Sequence, residues 1–189
     1  MPAEPSDEQL MSAYQNGDQL AFRKLFDRYA TRVASALGRG LSPKEQVADL
    51  VQQTFLQVHR ARRDFQPSRK FRPWLFTIAF NLRRQYFRTR SRKPAAAMVD
   101  NTLISDPTQN TARGAESAMV HAALESLPPE QSEAIVLHHF EALTFREIAT
   151  ITGVSLSAAK VRAHRGYEQL RKILGDDETE SLVPAYAKE

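Results

Sequence analysis

Hydrophobic positions recur at helical spacing along most of this chain, and no stretch alternates apolar and polar residues with the period of two that a half-buried strand needs. Asp7 to Gln15 reads as a brief helix interrupted at Asn16-Gly17, with the first residues as a disordered lead. Asp18 is a good N-cap before Phe22, Leu25, Phe26, Tyr29, Val33 and Leu37, which share one face; Gly38 and Gly40 stop that helix. Ser42-Pro43-Lys44-Glu45 has the form of a capping box with proline at the first helical position, and the helix it opens reaches about Arg62. Val47, Leu50, Val51, Thr54, Phe55 and Val58 form its inner stripe. Asp49, Gln52, Gln53 and Leu56 lie on another face, which is either ordinary solvated surface or a docking surface for another protein.

Residues 64 to 69, with Pro67 and Ser68, read as a loop, and a helix follows with Pro73 near its first turn. Leu75, Ile78, Ala79 and Leu82 share its core face. From Pro94 to about Gly114 apolar periodicity gives way to Ala, Asn, Thr, Ser, Gln and Asp, the composition of a flexible linker. A second helical unit begins near Glu116 with Met119, Val120, Ala123, Leu124 and Leu127 on one face; Pro128-Pro129 break it and start the next helix, with Ile135, Val136, Leu137 and Phe140. Thr144-Phe145-Arg146-Glu147 is a capping box opening a two-turn helix to Thr152, Gly153 makes a turn, and Ser155 caps a helix to about Leu174. Helix, short glycine turn, helix is the helix-turn-helix pattern. The expected fold is therefore all-α: two small helical domains joined by a flexible linker, the C-terminal one with a helix-turn-helix. The expected boundaries are a lead at 1–17, a domain at 18–93, the linker at 94–115, a domain at 116–175 and a tail at 176–189.

Charge changes the picture. The net charge of +4 is unevenly placed: between Arg60 and Lys93 the only acid is Asp64. In Phe71 to Lys93 the aromatics Phe71, Trp74, Phe76, Phe80, Tyr86 and Phe87 are interleaved with arginines, and Arg83, Arg84, Arg88, Arg90, Arg92 and Lys93 crowd the far end. Such a surface releases counterions from a phosphate backbone, and rings beside it stack on unpaired bases; the plainer alternative is a core helix with a solvated basic end. In the last helix Ala159, Ala163, Gly166 and Leu170 are small enough for close packing, whereas Lys160, Val161, His164 and Arg165 lie opposite, the arrangement a recognition helix needs in a major groove.

Candidate catalysis is absent. The five histidines do not combine with carboxylates at metal-ligand spacing; His138 and His139 are adjacent on a helix and diverge by about 100°. There is no cysteine, no phosphate-cradling glycine loop and no nucleophile elbow, so neither an enzyme nor a metal or cofactor site is expected. The opening MPAEPSDEQL lacks the basic and apolar regions of a secretory signal, and no apolar run has the length of a membrane span, which predicts a cytoplasmic protein with no membrane insertion.

Three passages together, DLVQQTFLQVHRARRDF (Asp49 to Phe65), FRPWLFTIAFNLRRQYFRTRSRK (Phe71 to Lys93) and LPPEQSEAIVLHHFEALTFREIATITGVSLSAAKVRAHRGYEQLRK (Leu127 to Lys172), resemble the bacterial sigma-70 family, specifically the small extracytoplasmic-function (ECF) sigma factors. The resemblance implies a subunit that binds core RNA polymerase, directs it to promoters through −35 and −10 elements, and promotes melting. It assigns Asp49, Gln52, Gln53 and Leu56 to core-polymerase binding. Phe65, Arg69, Lys70, Phe71, Trp74, Phe76 and Asn81 match the part that captures an unpaired −10 base, with Arg83, Arg84 and Arg88 holding the backbone. Lys160, Val161, Arg162, His164 and Arg165 would read the −35 element, and an anti-sigma protein would wedge between the domains. Phe80 stands where arginine is common in the family, His59 where tryptophan is common, and Ser157 to Val161 replace a usual Gly-Thr-Val-Lys/Arg-Ser run. The rival reading is a stand-alone helix-turn-helix regulator, which would bind a duplex palindrome as a dimer; the aromatics of the basic helix favour the sigma reading, because duplex offers no unpaired base to stack.

Overall fold

Ser6 accepts a hydrogen bond from the Gln9 amide while the Gln9 side chain accepts from the Ser6 amide, and this capping box launches helix α1, Asp7–Gln15. The computed structural model describes residues 4–39, 44–92 and 112–175; the Ser42-Pro43 helix start, most of the expected linker and the tail lie outside these residues. The helices that follow are α2, Gln19–Gly38; α3, Lys44–Arg60; α4, Phe71–Arg92; α5, Ala112–Ser126; α6, Pro129–Ile135; α7, Phe145–Thr152; and α8, Leu156–Leu174. No strand occurs among the described residues.

In the N-terminal half, Asp18 caps α2 by accepting from the Leu20 and Ala21 amides, as the sequence predicts. Helix α3 ends at Arg60 rather than Arg62, and a 3-10 turn, Arg62–Asp64, leads toward α4. Helix α4 buries one long face: Phe71, Leu75, Phe76, Ala79 and Phe80 are all inaccessible to solvent. Helix α1 occupies the Asp7 to Gln15 span where the sequence predicts a brief helix, and it packs onto the N-terminal half. Leu10, Met11 and Tyr14 are buried, and Tyr14 stacks on Phe22 with ring centroids 4.6 Å apart. Each such burial is worth about 1.5–3 kcal/mol, enough to fix a nine-residue helix that would not persist alone. Polar ties complete the attachment. Gln15 Nε2 donates to the Arg62 and Phe65 carbonyls at 2.7 and 2.8 Å, and Glu8 Oε1 accepts from the Phe71 amide at 2.9 Å, so α1 caps the start of α4.

In the C-terminal half, α5 starts at Ala112, inside the stretch expected to be linker. The helix after Pro129 is not uniform: α6 gives way to a π turn, Val136–Phe140, capped at Glu141, and Ala142 in the loop beyond has φ +48°, a left-handed conformation seldom adopted by a residue with a Cβ. Thr144 and Glu147 form the expected capping box on α7, Gly153 ends α7 at φ +69°, and Ser155 caps α8 through the Ala158 amide. Ala159, Ala163, Gly166, Tyr167 and Leu170 are the buried face of α8.

Gly166 sets the α6–α8 distance. A Cβ there would lie 2.6 Å from Ile135 Cδ1 and 3.3 Å from Ile135 Cγ1 and Gln131 Cβ. Gly166→Ala should therefore destabilise the chain by about 1–3 kcal/mol, the usual range for overpacking. Adding Ile135→Val, which removes the nearest methyl, should make the double variant less destabilised than the sum of the single changes. Thermal unfolding of the four proteins decides, and strict additivity would contradict the contact.

Candidate nucleic-acid and docking surfaces

The spacing of Asp49, Gln52, Gln53 and Leu56 puts them one turn apart on α3, and all four are exposed, Leu56 to 45%. Opposite them Leu50, Thr54, Phe55 and Val58 are buried, with Thr54 Oγ1 donating to the Leu50 carbonyl at 2.7 Å. Phe26, 40% exposed, lies with its ring centroid 4.7 Å from that of Phe55, so this side of the half carries solvent-facing apolar area.

The ten residues expected to meet −10 DNA divide into two groups. Phe65, Phe71 and Phe76 are buried; the Phe65 and Phe71 rings pack edge to face and Tyr29 closes on Phe71. Arg83 is also buried: Nη2 donates to the Arg39 carbonyl at 3.2 Å, and the guanidinium lies over the rings of Phe80 and Phe87, 5.5 and 5.4 Å from their centroids. Burial lowers its pKa. These four side chains build α4 into the core and have no open face for a base or phosphate here. Arg69, Lys70, Asn81 and Arg88 are exposed, and Trp74 is half-buried, its ring supported by Phe65 and Phe71 at 5.2 and 5.9 Å.

Arg84 lies between the halves. It forms an ion pair with Glu133 of α6, donates to Asn81 Oδ1 one turn back, and donates to the Ile151 carbonyl of α7 at 2.9 Å. Further cations of the N-terminal half meet acceptors of the C-terminal half. Arg32 pairs with Glu141 at 3.0 Å, Arg72 donates to the Ala142 carbonyl at 3.1 Å, and Lys70 faces Glu147 at 3.6 Å. The Arg39 guanidinium covers the Phe140 ring at 3.8 Å, and His121 meets the Gly38 carbonyl at 2.7 Å. Arg32, Arg39, Arg72, Glu133 and Glu141 carry no signal in the sequence for these roles, since their partners lie far along the chain.

The carboxylates of this junction respond to it differently. Burial pushes Glu133 above the usual carboxylate range despite Arg84 and Arg83, and burial likewise raises Glu141 against Arg32. Burial alone would raise Glu147 too, but hydrogen bonds from Thr144 and the charges of Lys70 and Arg72 outweigh it and hold that group low. An open cleft of about 330 Å³ runs between the halves, lined in part by Glu8, Tyr29, Lys70, Arg72 and Glu147.

On α8 the outward set stands clear. Lys160, Val161, His164 and Arg165 are exposed, Arg162 is half-buried, and His164 Nδ1 lies 3.5 Å from Glu168. Val161, 46% exposed, presents only methyl groups, which suit a thymine methyl and no hydrogen-bonding edge. Among the described residues no three His, Cys, Asp or Glu side chains converge as metal ligands, and no helix is long and apolar enough to cross a membrane.

Comparison with known proteins bears on both halves. A family model described as Sigma-70 region 2 matches residues 25–93, and one described as Sigma-70, region 4 matches residues 117–170. The RNA polymerase sigma factor CarQ of Myxococcus xanthus is 38% identical over 173 residues, covering 90% of this chain and 98% of its own. The ECF RNA polymerase sigma-E factor of Escherichia coli K12 is 30% identical, over 90% of this chain and 95% of its own. Among solved structures, CnrH in complex with the cytosolic domain of CnrY superposes with a TM-score of 0.71 at 30% identity, covering 90% of this chain and 97% of that one. The sigma factor RpoE in complex with the anti-sigma factor NepR from Bartonella quintana gives 0.70 at 22% identity, over 82% and 98%, a likeness of fold.

The junction makes a pH prediction. A carboxyl with a raised value in the folded chain binds its proton more tightly there. Its contribution to stability is complete below the ordinary value of 4.5 and is lost as pH rises through the raised one. The melting temperature of the wild type minus that of Glu133→Gln should therefore decline as pH is raised from 4.5 toward neutrality. A difference that grows over that window would contradict the burial of Glu133.

Proposed function

The chain belongs to the sigma-70 family, in its ECF branch, and directs RNA polymerase to promoters; from that premise we propose how its surfaces divide the work. It is a transcription initiation factor and not an enzyme. The exposed α3 face of Asp49, Gln52, Gln53 and Leu56 docks on core polymerase. The cations Arg69, Lys70, Arg84 and Arg88, with the Asn81 amide and the Trp74 ring, hold the melted −10 strand. Phe65, Phe71, Phe76 and Arg83 support that surface from beneath. Lys160, Val161, Arg162, His164 and Arg165 enter the major groove at the −35 element. The work is done in the cytoplasm, where core polymerase is. The domain division follows the same logic: residues 18–93, extended by α1, act at −10, and residues 116–175 act at −35.

The observation that carries this reading is the outward face of α8, cationic and hydrogen-bonding, on a helix-turn-helix with both caps formed and a left-handed glycine between them. Support for the −10 assignment comes from Trp74, the one indole of the chain, held half-open against the buried rings of Phe65 and Phe71 and a few residues after Arg69 and Lys70 in the sequence. Flipping a base out of the stack costs a few kcal/mol, and stacking on an aromatic ring returns about 1–3 kcal/mol per base. An anti-sigma partner fits the same reading, since the relative RpoE is named in complex with one.

Transcription by purified core polymerase on a cognate promoter tests the map. Trp74→Ala should slow promoter opening by about 1–3 kcal/mol of lost stacking while leaving −35 binding intact, and Trp74→Phe should restore part of the rate. Lys160→Ala should instead weaken binding to −35 duplex and reduce its salt slope by about one. Wild-type transcription by both alanine variants would overturn the residue assignments.

A further inference from the structure

Resting on the assignment of α8 to the −35 major groove, we propose that Val161 selects the base at the centre of that contact, and that the base is thymine. Its place on the helix singles it out. At about 100° per residue, Val161 points almost directly away from the buried stripe of Ala159, Ala163, Gly166 and Leu170. Ser157 and Arg165 stand one turn before and after it, with Lys160 and His164 beside that line, so its neighbours on the outward face are polar or charged. The outermost point of a cationic face is thus an apolar side chain, 46% exposed. The helix itself does not ask for it. A β-branched residue is a poorer helix former than Ala, Lys or Arg, and a solvent-facing position in the second turn offers it no core to fill.

Chemistry then restricts the partner. In a major groove the edges of adenine, guanine and cytosine offer hydrogen-bond donors and acceptors, and thymine alone adds a methyl group, next to its O4 acceptor. Against the first three, a valine displaces water from polar atoms and leaves them unpaired. Against thymine it buries methyl on methyl. Arg165 supplies the second half of the reading. With Val161, Arg162, Glu130 and Gln131 it lines an open depression of about 200 Å³ beside α8. A thymine seated on Val161 through its methyl therefore has a guanidinium donor in the same depression for its O4. Cytosine fits neither half: it lacks the methyl, and its N4 amino group sets a donor against a donor.

Deoxyuridine tests this at the level of a single methyl group, since it pairs as thymidine does and lacks only that methyl. The full chain on core polymerase is titrated with labelled duplexes carrying the −35 element of a promoter it transcribes, each thymidine of either strand replaced in turn. At one position uracil should weaken binding about fourfold, the equivalent of one methyl lost from an apolar contact. Val161→Ala, which keeps the helix by substituting a better helix former, should weaken binding to the thymidine duplex to a similar extent. It should also make binding indifferent to uracil there, because both changes remove the same contact. Ile173→Ala, which removes a 52% exposed side chain about three turns further along α8, should leave the fourfold uracil effect in place. 5-Methylcytidine opposite guanosine at that position keeps the methyl and exchanges the acceptor for a donor, so it should bind less well than thymidine; equal binding overturns the part given to Arg165. If no thymidine is sensitive, or if the uracil effect persists in Val161→Ala, the proposal is overturned. In that event a loss of binding in Lys160→Ala leaves the −35 assignment standing, and full binding in Lys160→Ala takes the assignment down with it.

Discussion

A helix that carries both the packing core of one half and the strongest cationic face of the molecule can neutralise that face only with acceptors drawn from elsewhere. Helix α4 is in that position. Phe71, Leu75, Phe76, Ala79 and Phe80 are fully buried along one side, and residues 71–92 contain no acid to pair with the arginines on the other. Arg83 is taken inward over two phenylalanine rings and onto the Arg39 carbonyl. Arg84 reaches across to Glu133 and Ile151. Arg84 thereby ties the two halves together, alongside Arg32 with Glu141 and Arg39 over the Phe140 ring.

The same economy appears at the start of α4. Four amides at a helix N-terminus need acceptors, and Phe71 receives one from Glu8, more than sixty residues earlier. Helix α1 thereby becomes part of the domain. Asp7 reinforces it by pairing with Arg28 at 2.8 Å and accepting from the Tyr29 hydroxyl, and burial with that hydrogen bond raises the Tyr29 pKa well beyond its ordinary value. The aromatic base under Trp74 depends on these ties, because Tyr29, Phe65 and Phe71 are the rings against which the half-open indole is ultimately set.

Local features were legible in the sequence because their causes are local. Asp18, Thr144 with Glu147, Gly153 and Ser155 each act within four residues, and each does in the structure what its residue type implies. The free face of α3 and the outward face of α8 follow from helical period alone. The burial of α1 was not legible, since a nine-residue helix with four apolar positions, Leu10, Met11, Ala13 and Tyr14, looks marginal until its binding groove is known. Nor could periodicity tell that Phe65, Phe71 and Phe76 are core and Trp74 half-open: all four are aromatic, and their sorting depends on Tyr29 and α1. The π turn at Val136–Phe140 and the left-handed Ala142 have no turn residue to announce them. Arg84 with Glu133 and Arg32 with Glu141 join residues 49 and 109 apart, beyond any pattern of spacing.

Membership of the sigma-70 family accounts for why such a chain exists, and the physical reading adds that Arg84, assigned to the −10 strand, is paired with Glu133 in the chain on its own. Cryo-electron microscopy of this chain on core polymerase with a melted promoter addresses that assignment most directly. The account predicts Arg84 against a DNA phosphate, with Glu133 separated from it and the α4–α7 contact broken. An Arg84–Glu133 pair intact in the open promoter complex would contradict it.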